Sequence, residues 1–234
     1  MRFKKIYLIT IGLFLIYIFL VFVAFLNLDR YTDANSDYVG SEVCVIIDAG
    51  HGGEDGGAVA NDIIEKDINL SIANKLACVL KTAGYKVVLT RSEDEMVNAV
   101  GDSLRERKVS DMHNRLDIFN ENENNVVISI HQNKFTQEQY HGTQVFYSTN
   151  NDKSFSLAAA IRDDVKMLLQ PDNTRECKPA GSEIFLLSNS NVPSVIVECG
   201  FISNYEEAQK LKTEEYQDKM AFAIFAGFMD YINN

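Results

Sequence analysis

The chain has 234 residues, of which 46% are hydrophobic and 24% charged, with a net charge of −11 and a pI near 4.8. That length and apolar content suit one sizeable domain with appendages. The acidic balance excludes an electrostatic nucleic-acid binder, because no basic excess exists to neutralise phosphates, and the chain as a whole cannot grip an anionic polymer by charge alone.

Met1-Arg2-Phe3-Lys4-Lys5 precedes a run without charge from Ile6 to Leu26. As a helix this run is long enough to cross a hydrocarbon core of roughly 30 Å. The exit Val23-Ala24-Phe25-Leu26-Asn27 has no small-x-small cleavage pair, so residues 6–26 read as an uncleaved transmembrane anchor ahead of a cleaved signal. Arg2, Lys4 and Lys5 keep the short basic tip, residues 1–5, in the cytoplasm and send the rest outside. Residues 27–42 then form a polar tether, and 43–234 the domain. Cys44, Cys78, Cys177 and Cys199 face an exported compartment where disulfides form, although Cys44, Cys78 and Cys199 sit in apolar patterns that suit small buried hydrophobes.

Val43 to Asp48 shows no alternation, as expected of a strand buried on both faces of an α/β sheet. A glycine-crowded loop carrying His51 follows it. Lys66 to Ala83 spaces Ile68, Ile72, Leu76, Val79 and Leu80 as a helix, stopped by Gly84 and followed by a strand over Tyr85 to Thr90. Strand, helix, strand predicts a parallel crossover. A polar loop leads to a helix over Ser103 to Asn122, with Leu104, Met112, Leu116 and Phe119 as its buried stripe. Val126 to His131 is a strand ending on a histidine, and Gly142 to Ser148 another strand. Ser156 to Leu169 is a helix stopped by Pro171, and Asp172 to Gly181 an exposed loop. Ile184 to Leu187 and Val195 to Glu198 read as strands, and helices close the chain near Asn204–Leu211 and Glu214–Ile232.

His51, His131 and Glu198 thus lie at or just beyond the carboxyl ends of predicted strands, where open α/β sheets place their ligand sites. Glu65, on the loop leaving His51, is within chain reach of the same edge. Two histidines and one carboxylate leave a position of tetrahedral zinc open, the ligand set of a catalytic site. On this division His51, Glu65 and His131 hold the metal, and Glu198 takes and returns the proton. Each residue also has a structural alternative. Strand-end histidines are often only hydrogen-bonded, and Glu65 could simply favour a helix amino terminus, whereas an acid within Val195-Ile196-Val197 is costly to bury without a partner. The pattern alone leaves both possibilities open.

The segments Ile47-Asp48-Ala49-Gly50-His51-Gly52-Gly53, Glu65-Lys66-Asp67, Ser129-Ile130-His131-Gln132-Asn133 and Val197-Glu198-Cys199-Gly200-Phe201-Ile202-Ser203-Asn204 resemble the zinc-dependent N-acetylmuramoyl-L-alanine amidases of bacterial cell walls. The resemblance implies a single mixed, mostly parallel sheet of about six strands flanked by helices. It also implies zinc held by His51, Glu65 and His131, with Glu198 catalytic, and cleavage between muramic acid and the first L-alanine of the stem peptide. Arg115 and Asn120 match the family's arginine-and-asparagine helix, in a structural or substrate-edge role. After His131 many members have alanine, asparagine and alanine, whereas this chain has Gln132-Asn133-Lys134-Phe135. That variant, with Asn133 a further substrate-edge candidate, resembles the sporulation and germination branch, which strips peptides from spore-cortex muramic acid toward muramic-δ-lactam.

Tyr140 to Leu169 reads directly as strand then helix, without the family's inserted autoinhibitory helix, so control is expected from location or from a regulatory protein partner. The last helix carries Met220, Phe222, Ile224, Phe225, Phe228, Met229 and Ile232, either a contact surface or a face buried on the sheet. The expected setting is membrane-anchored and extracytoplasmic, between the membranes of a developing spore, with peptidoglycan as substrate. The glycines around His51 read as clearance for a bulky glycan-linked peptide. The rival functions are a zinc carboxypeptidase or other wall peptidase, and a non-catalytic wall-associated scaffold.

Overall fold

The structure, a computed structural model, describes residues 43–234. The expected tip, membrane span and tether over 1–42 lie outside the described residues. Among the described residues no helix is long and apolar enough to cross a membrane.

In chain order the strands are β1 (Cys44–Ala49), β2 (Val59–Ala60), β3 (Ile63–Ile64), β4 (Lys86–Leu89), β5 (Asn125–Asn133), β6 (Gln144–Tyr147), β7 (Lys178–Pro179) and β8 (Ser194–Phe201). The helices are α1 (Glu65–Thr82), α2 (Leu104–Asn120), α3 (Lys153–Leu168), α4 (Phe185–Asn189), α5 (Tyr205–Leu211) and α6 (Glu214–Asn233). Six strands form one sheet in the order β4-β1-β5-β8-β6-β7, and β2 and β3 make a separate small hairpin. The pairs β4-β1, β1-β5 and β5-β8 are parallel, β6 returns antiparallel to β8, and β7 runs parallel to β6. This is the mixed, mostly parallel sheet that the resemblance implies.

β1 is buried along its whole length, which accounts for its lack of alternation. On one face of the sheet α1 and α3 cover Val45, Ile47, Ile128, Ile130, Val195 and Val197, and α6 packs on these two helices. On the other, Phe119 of α2 and Leu186 of α4 cover Ile46 and Val127. Since strand side chains alternate, Asp48, Ser129, His131 and Glu198 leave the sheet on this second face, as register partners across β1, β5 and β8. The apolar core therefore supports one side, and the polar strand ends emerge on the other.

α1 buries Ile68, Ile72, Leu76 and Leu80 and gives way to Gly84 at a φ of 90°. α2 opens with a capping box in which Ser103 and Glu106 exchange hydrogen bonds, satisfying donors that the helix start leaves free.

Several expectations need correction. Ile184 to Leu187 is not a strand: it begins α4, with Ser188 N donating to the Ile184 carbonyl, because a four-residue apolar run fits a buried helical turn as well as a strand. The buried face of α2 is Asp111, Arg115 and Phe119, and Leu104 is exposed, because the sheet presents a buried acid rather than apolar surface at that point. Cys78 is exposed on α1, and all four cysteines are free thiols. On α6, Met220, Ile224 and Phe228 are buried, while Phe222 remains 54% exposed.

Candidate metal centre

The loop after β1 is held by two buried arginines. Arg115 donates from Nη1 to Asp48 Oδ1 (2.6 Å) and to the Ala49 carbonyl (2.8 Å), and from Nη2 to the His51 carbonyl (2.7 Å). Its Nε donates to Asp111 Oδ2 one helical turn earlier at 2.7 Å. Arg91 donates from Nε to the Ala49 carbonyl (2.9 Å) and from Nη2 to those of Gly50 (3.1 Å) and Lys66 (2.9 Å). Burial pushes Asp48 up, but the Arg115 charge and hydrogen bonds from Ser129 and Thr90 outweigh it and hold the carboxyl below its ordinary range. Three consecutive carbonyls are thereby pinned, and the course of the loop is set.

Within the loop His51 adopts a φ of 61°, uncommon for a residue with a side chain. A Cβ on Gly50 would run into the His131 imidazole, and one on Gly57 would lie 2.6 Å from His51 Cδ2 and 2.7 Å from Glu65 Oε2. The nearest demand on these two glycines is room for the site's own side chains, not for a substrate, which corrects the expectation from sequence.

His51, Glu65 and His131 come together so that one ligand atom from each lies within 4.8 Å of the others. Glu65 is the first residue of α1, where the helix dipole favours its charge, and the helix aims it back over the strand ends. Its Oε1 lies 3.3 Å from His51 Nε2 and 3.0 Å from His131 Nδ1, and it accepts from Gln132 N at 3.1 Å. Oε2 accepts from Ala58 N at 2.8 Å. The two imidazoles meet edge to face, centroids 5.0 Å apart. The other nitrogen of His51, Nδ1, is 2.8 Å from Asp55 Oδ2, and Asp55 is itself held by Lys108 at 2.9 Å. A carboxylate behind a metal-facing imidazole is the usual way to fix its tautomer and ring plane.

Burial pulls the basicity of His51 down, but the hydrogen bonds and charges of Asp55 and Glu65 override it, and the imidazole is raised to about 9. Burial pushes Glu65 up, yet its bonds to both histidines carry it well below the ordinary range. The cluster attracts positive charge, and its donors, two imidazole nitrogens and one carboxylate, suit a metal ion.

Glu198 stands directly opposite His131 in the β5-β8 register. The residue is half-buried, but its Oε2 is sealed from solvent and has no hydrogen-bond partner among the described residues. Burial raises its pKa to about 7, against the lowering effect of His131. An orphaned buried carboxylate oxygen beside a metal-capable cluster is costly unless a proton or a cation completes it.

Of the remaining sequence candidates Arg115 supports the centre, whereas Asn120 lies away from it and is structural, not at a substrate edge. Asn120 lies at the far end of α2 and ties the α4 loop, donating to the Asn189 carbonyl at 3.2 Å and accepting from Asn191 N at 2.8 Å. Asn133 accepts from Ile202 N through its carbonyl at 2.8 Å and lines a cleft beside Phe201. Asp55 and Arg91 escaped the sequence analysis. An acid four residues after His51 and an arginine directly after the strand ending at Thr90 were the available signals.

The fold and site are those of an α/β domain with a metal-capable cluster at the carboxyl edge of its sheet. The chain belongs to the N-acetylmuramoyl-L-alanine amidase family, whose model matches residues 45–230. It is 33% identical over 219 residues to the germination-specific N-acetylmuramoyl-L-alanine amidase of Bacillus subtilis, covering 93% of this chain and 91% of that one. Among solved structures it is similar to the CwlD amidase from Clostridioides difficile in complex with the GerS lipoprotein, with a TM-score of 0.78 and 38% identity over 82% of this chain and 99% of that one. An N-acetylmuramoyl-L-alanine amidase from Clostridium difficile 630 aligns at a TM-score of 0.72 and 28% identity, covering 83% of this chain and 99% of the other.

Proposed function

We propose that this chain is a zinc-dependent peptidoglycan amidase that cleaves the bond between N-acetylmuramic acid and the L-alanine of the stem peptide. The observation that carries the proposal is the cluster of His51, Glu65 and His131 with the orphaned Glu198 carboxylate beside it. His51 through Nε2, Glu65 through Oε1 and His131 through Nδ1 would hold the ion. Zinc bound there supplies Lewis-acid polarisation of a carbonyl and lowers the pKa of water. Glu198 accepts the proton of the attacking water and delivers it to the departing alanine nitrogen, a role open to a carboxylate whose Oε2 has no partner among the described residues and which stands beside the cluster. Asp55 holds the His51 ring in plane, and Arg115 and Arg91 hold the loop that carries it.

The biological setting we assign is the spore cortex, where removal of stem peptides precedes muramic-δ-lactam formation. Its support is similarity to the germination-specific amidase. Residues 6–26 would anchor the chain with its domain outside the cytoplasm, between the membranes of a developing spore. A regulatory protein partner is part of this proposal, supported by similarity to a CwlD amidase solved with a lipoprotein.

The test is mass spectrometry of sacculi treated with the full-length chain loaded with zinc, with and without candidate partners. Peptide-free muramic acid is the expected product. Shortened stems would replace the amidase with a carboxypeptidase, and no release under any condition would leave a scaffold role.

A further inference from the structure

Beyond β8 the face that bears Glu198 continues into a second, differently built cleft of about 390 Å³. Gln144 on β6 is the register partner of Glu198, and Phe146 that of Ile196, so both share its face. Phe201 joins them through a bulge. From His131 to Asn133 β5 advances two residues, while β8 advances three, from Glu198 to Phe201. The extra residue returns Phe201 to the face that Glu198 occupies, a use of bulges found beside active sites.

Over Phe201 lies Arg175, its Cζ 4.6 Å from that ring centroid and 5.8 Å from that of Tyr140. Nε of Arg175 donates to the His141 carbonyl at 2.8 Å, and its backbone N donates to Asn173 Oδ1 at 3.0 Å. Asn173 is buried and tied to the Thr143 carbonyl at 2.9 Å. The guanidinium is thus fixed by stacking and by one donor, while its two terminal nitrogens have no partner among the described residues. Lys178 lies in the same cleft, whose lining includes no acidic side chain although the chain as a whole carries −11. Gln144, 2% exposed, also lines it, with a buried Oε1 that accepts no hydrogen bond among the described residues.

We propose that this cleft is the stem-peptide subsite, in which Arg175, assisted by Lys178, binds the free carboxylate of the residue that follows alanine, and Gln144 Oε1 accepts a peptide N–H. The inference rests on the amidase function proposed above, and the polarity of the site gives its direction. Glu198 delivers its proton to the alanine nitrogen, so the leaving peptide starts at Glu198. The metal-capable cluster lies on the β5 side of that point, and the cleft lies on the β6 side. An extended alanine and its neighbour span about 7 Å, enough to cross one strand spacing of about 4.8 Å. A γ-linked glutamate at that neighbour presents a free α-carboxylate, which the open edge of an arginine can bind in bidentate fashion.

Two measurements on the full-length chain test this. The first is binding of L-alanyl-γ-D-glutamyl peptide and of its α-amide to the zinc-loaded Glu198→Gln protein, by calorimetry. The second is turnover of muramyl peptides bearing the acid or the amide by the wild-type chain. The acid should be preferred in both by about 10- to 100-fold, the range of a charge-assisted hydrogen-bonded pair. Arg175→Ala should collapse that ratio toward one, and Arg175→Lys, which keeps the charge but not the fork, should restore part of it. A merely structural role for Arg175 would lower acid and amide equally and leave the ratio intact, which overturns the proposal. Equal binding and equal cleavage of the two forms by the wild type would remove the subsite and keep the amidase. A chain that prefers the acid in binding but cleaves neither form would keep the subsite and lose the amidase.

Discussion

His131 on β5 and Glu198 on β8 are direct register partners, so an imidazole and a carboxylate leave adjacent parallel strands on the same face and at the same level. The residues are distant in sequence, and only the β1-β5-β8 arrangement brings them side by side. Division of labour follows from their surroundings: His131 reaches Glu65, whereas Glu198 Oε2 reaches no hydrogen-bond partner among the described residues.

Replacing Glu198 with Gln should therefore remove the proposed proton carrier and leave the metal-capable cluster intact. Turnover is expected to fall by roughly 10²- to 10⁴-fold, with zinc content by elemental analysis unchanged. Loss of zinc from this variant would make Glu198 a ligand instead.

Asp55→Asn tests the group behind His51. The amide keeps the size of the carboxylate but surrenders the charge that fixes the imidazole at 2.8 Å. Zinc affinity, read by chelator competition, should drop by roughly 10- to 100-fold. Activity at saturating zinc should fall far less than in Glu198→Gln. An unchanged affinity would mean that Asp55 serves the loop through Lys108 and not the metal.

The strands that present the metal-capable cluster were legible in the sequence because their physics is local, whereas the ligand set itself followed from the resemblance. β1, β5 and β8 are β-branched runs long enough to identify; His51 follows β1 and His131 lies near the end of β5, whereas β8 runs on past Glu198 to Phe201. Glu65 stood next to a helix start that its own acidity favours. What escaped depends on tertiary pairing. The resemblance marks Arg115 as structural or substrate-edge, but its hold on the buried Asp48 shows only in the fold, and Arg91 gains meaning from carbonyls some forty positions earlier. Ile184 to Leu187 was misread because so short an apolar run carries no period to separate strand from helix. The bulge that turns Phe201 toward Glu198 leaves no mark in the sequence beyond Gly200.

Gly50→Ala probes how closely the loop approaches His131. The added methyl group would collide with that imidazole, with no flexible chain end to yield. Displacement of the ring should abolish high-affinity zinc binding while far-UV circular dichroism stays native, at a stability cost of about 1–3 kcal/mol. Gly56→Ala is the control, since its Cβ would meet only the Ile64 methyl group at 3.3 Å.

Beneath the loop, the Asp48–Arg115 pair links stability to pH. Both side chains are almost fully buried and 2.6 Å apart, so removing one partner strands the other charge. Arg115→Met should cost about 3–5 kcal/mol in urea unfolding. The folded-state pKa of Asp48 is depressed below its unfolded value, so the folded chain binds fewer protons there than the unfolded chain. Its contribution is complete above the unfolded pKa of about 3.9 and is lost as pH falls through the lower folded value. Stability should thus decline steeply below about pH 4 in the wild type. Asp48→Asn, which cannot ionise, should be less stable at neutral pH and show a shallower decline in that acid range. Equal acid slopes for the two proteins would show that other carboxylates, Glu65 among them, carry the acid sensitivity.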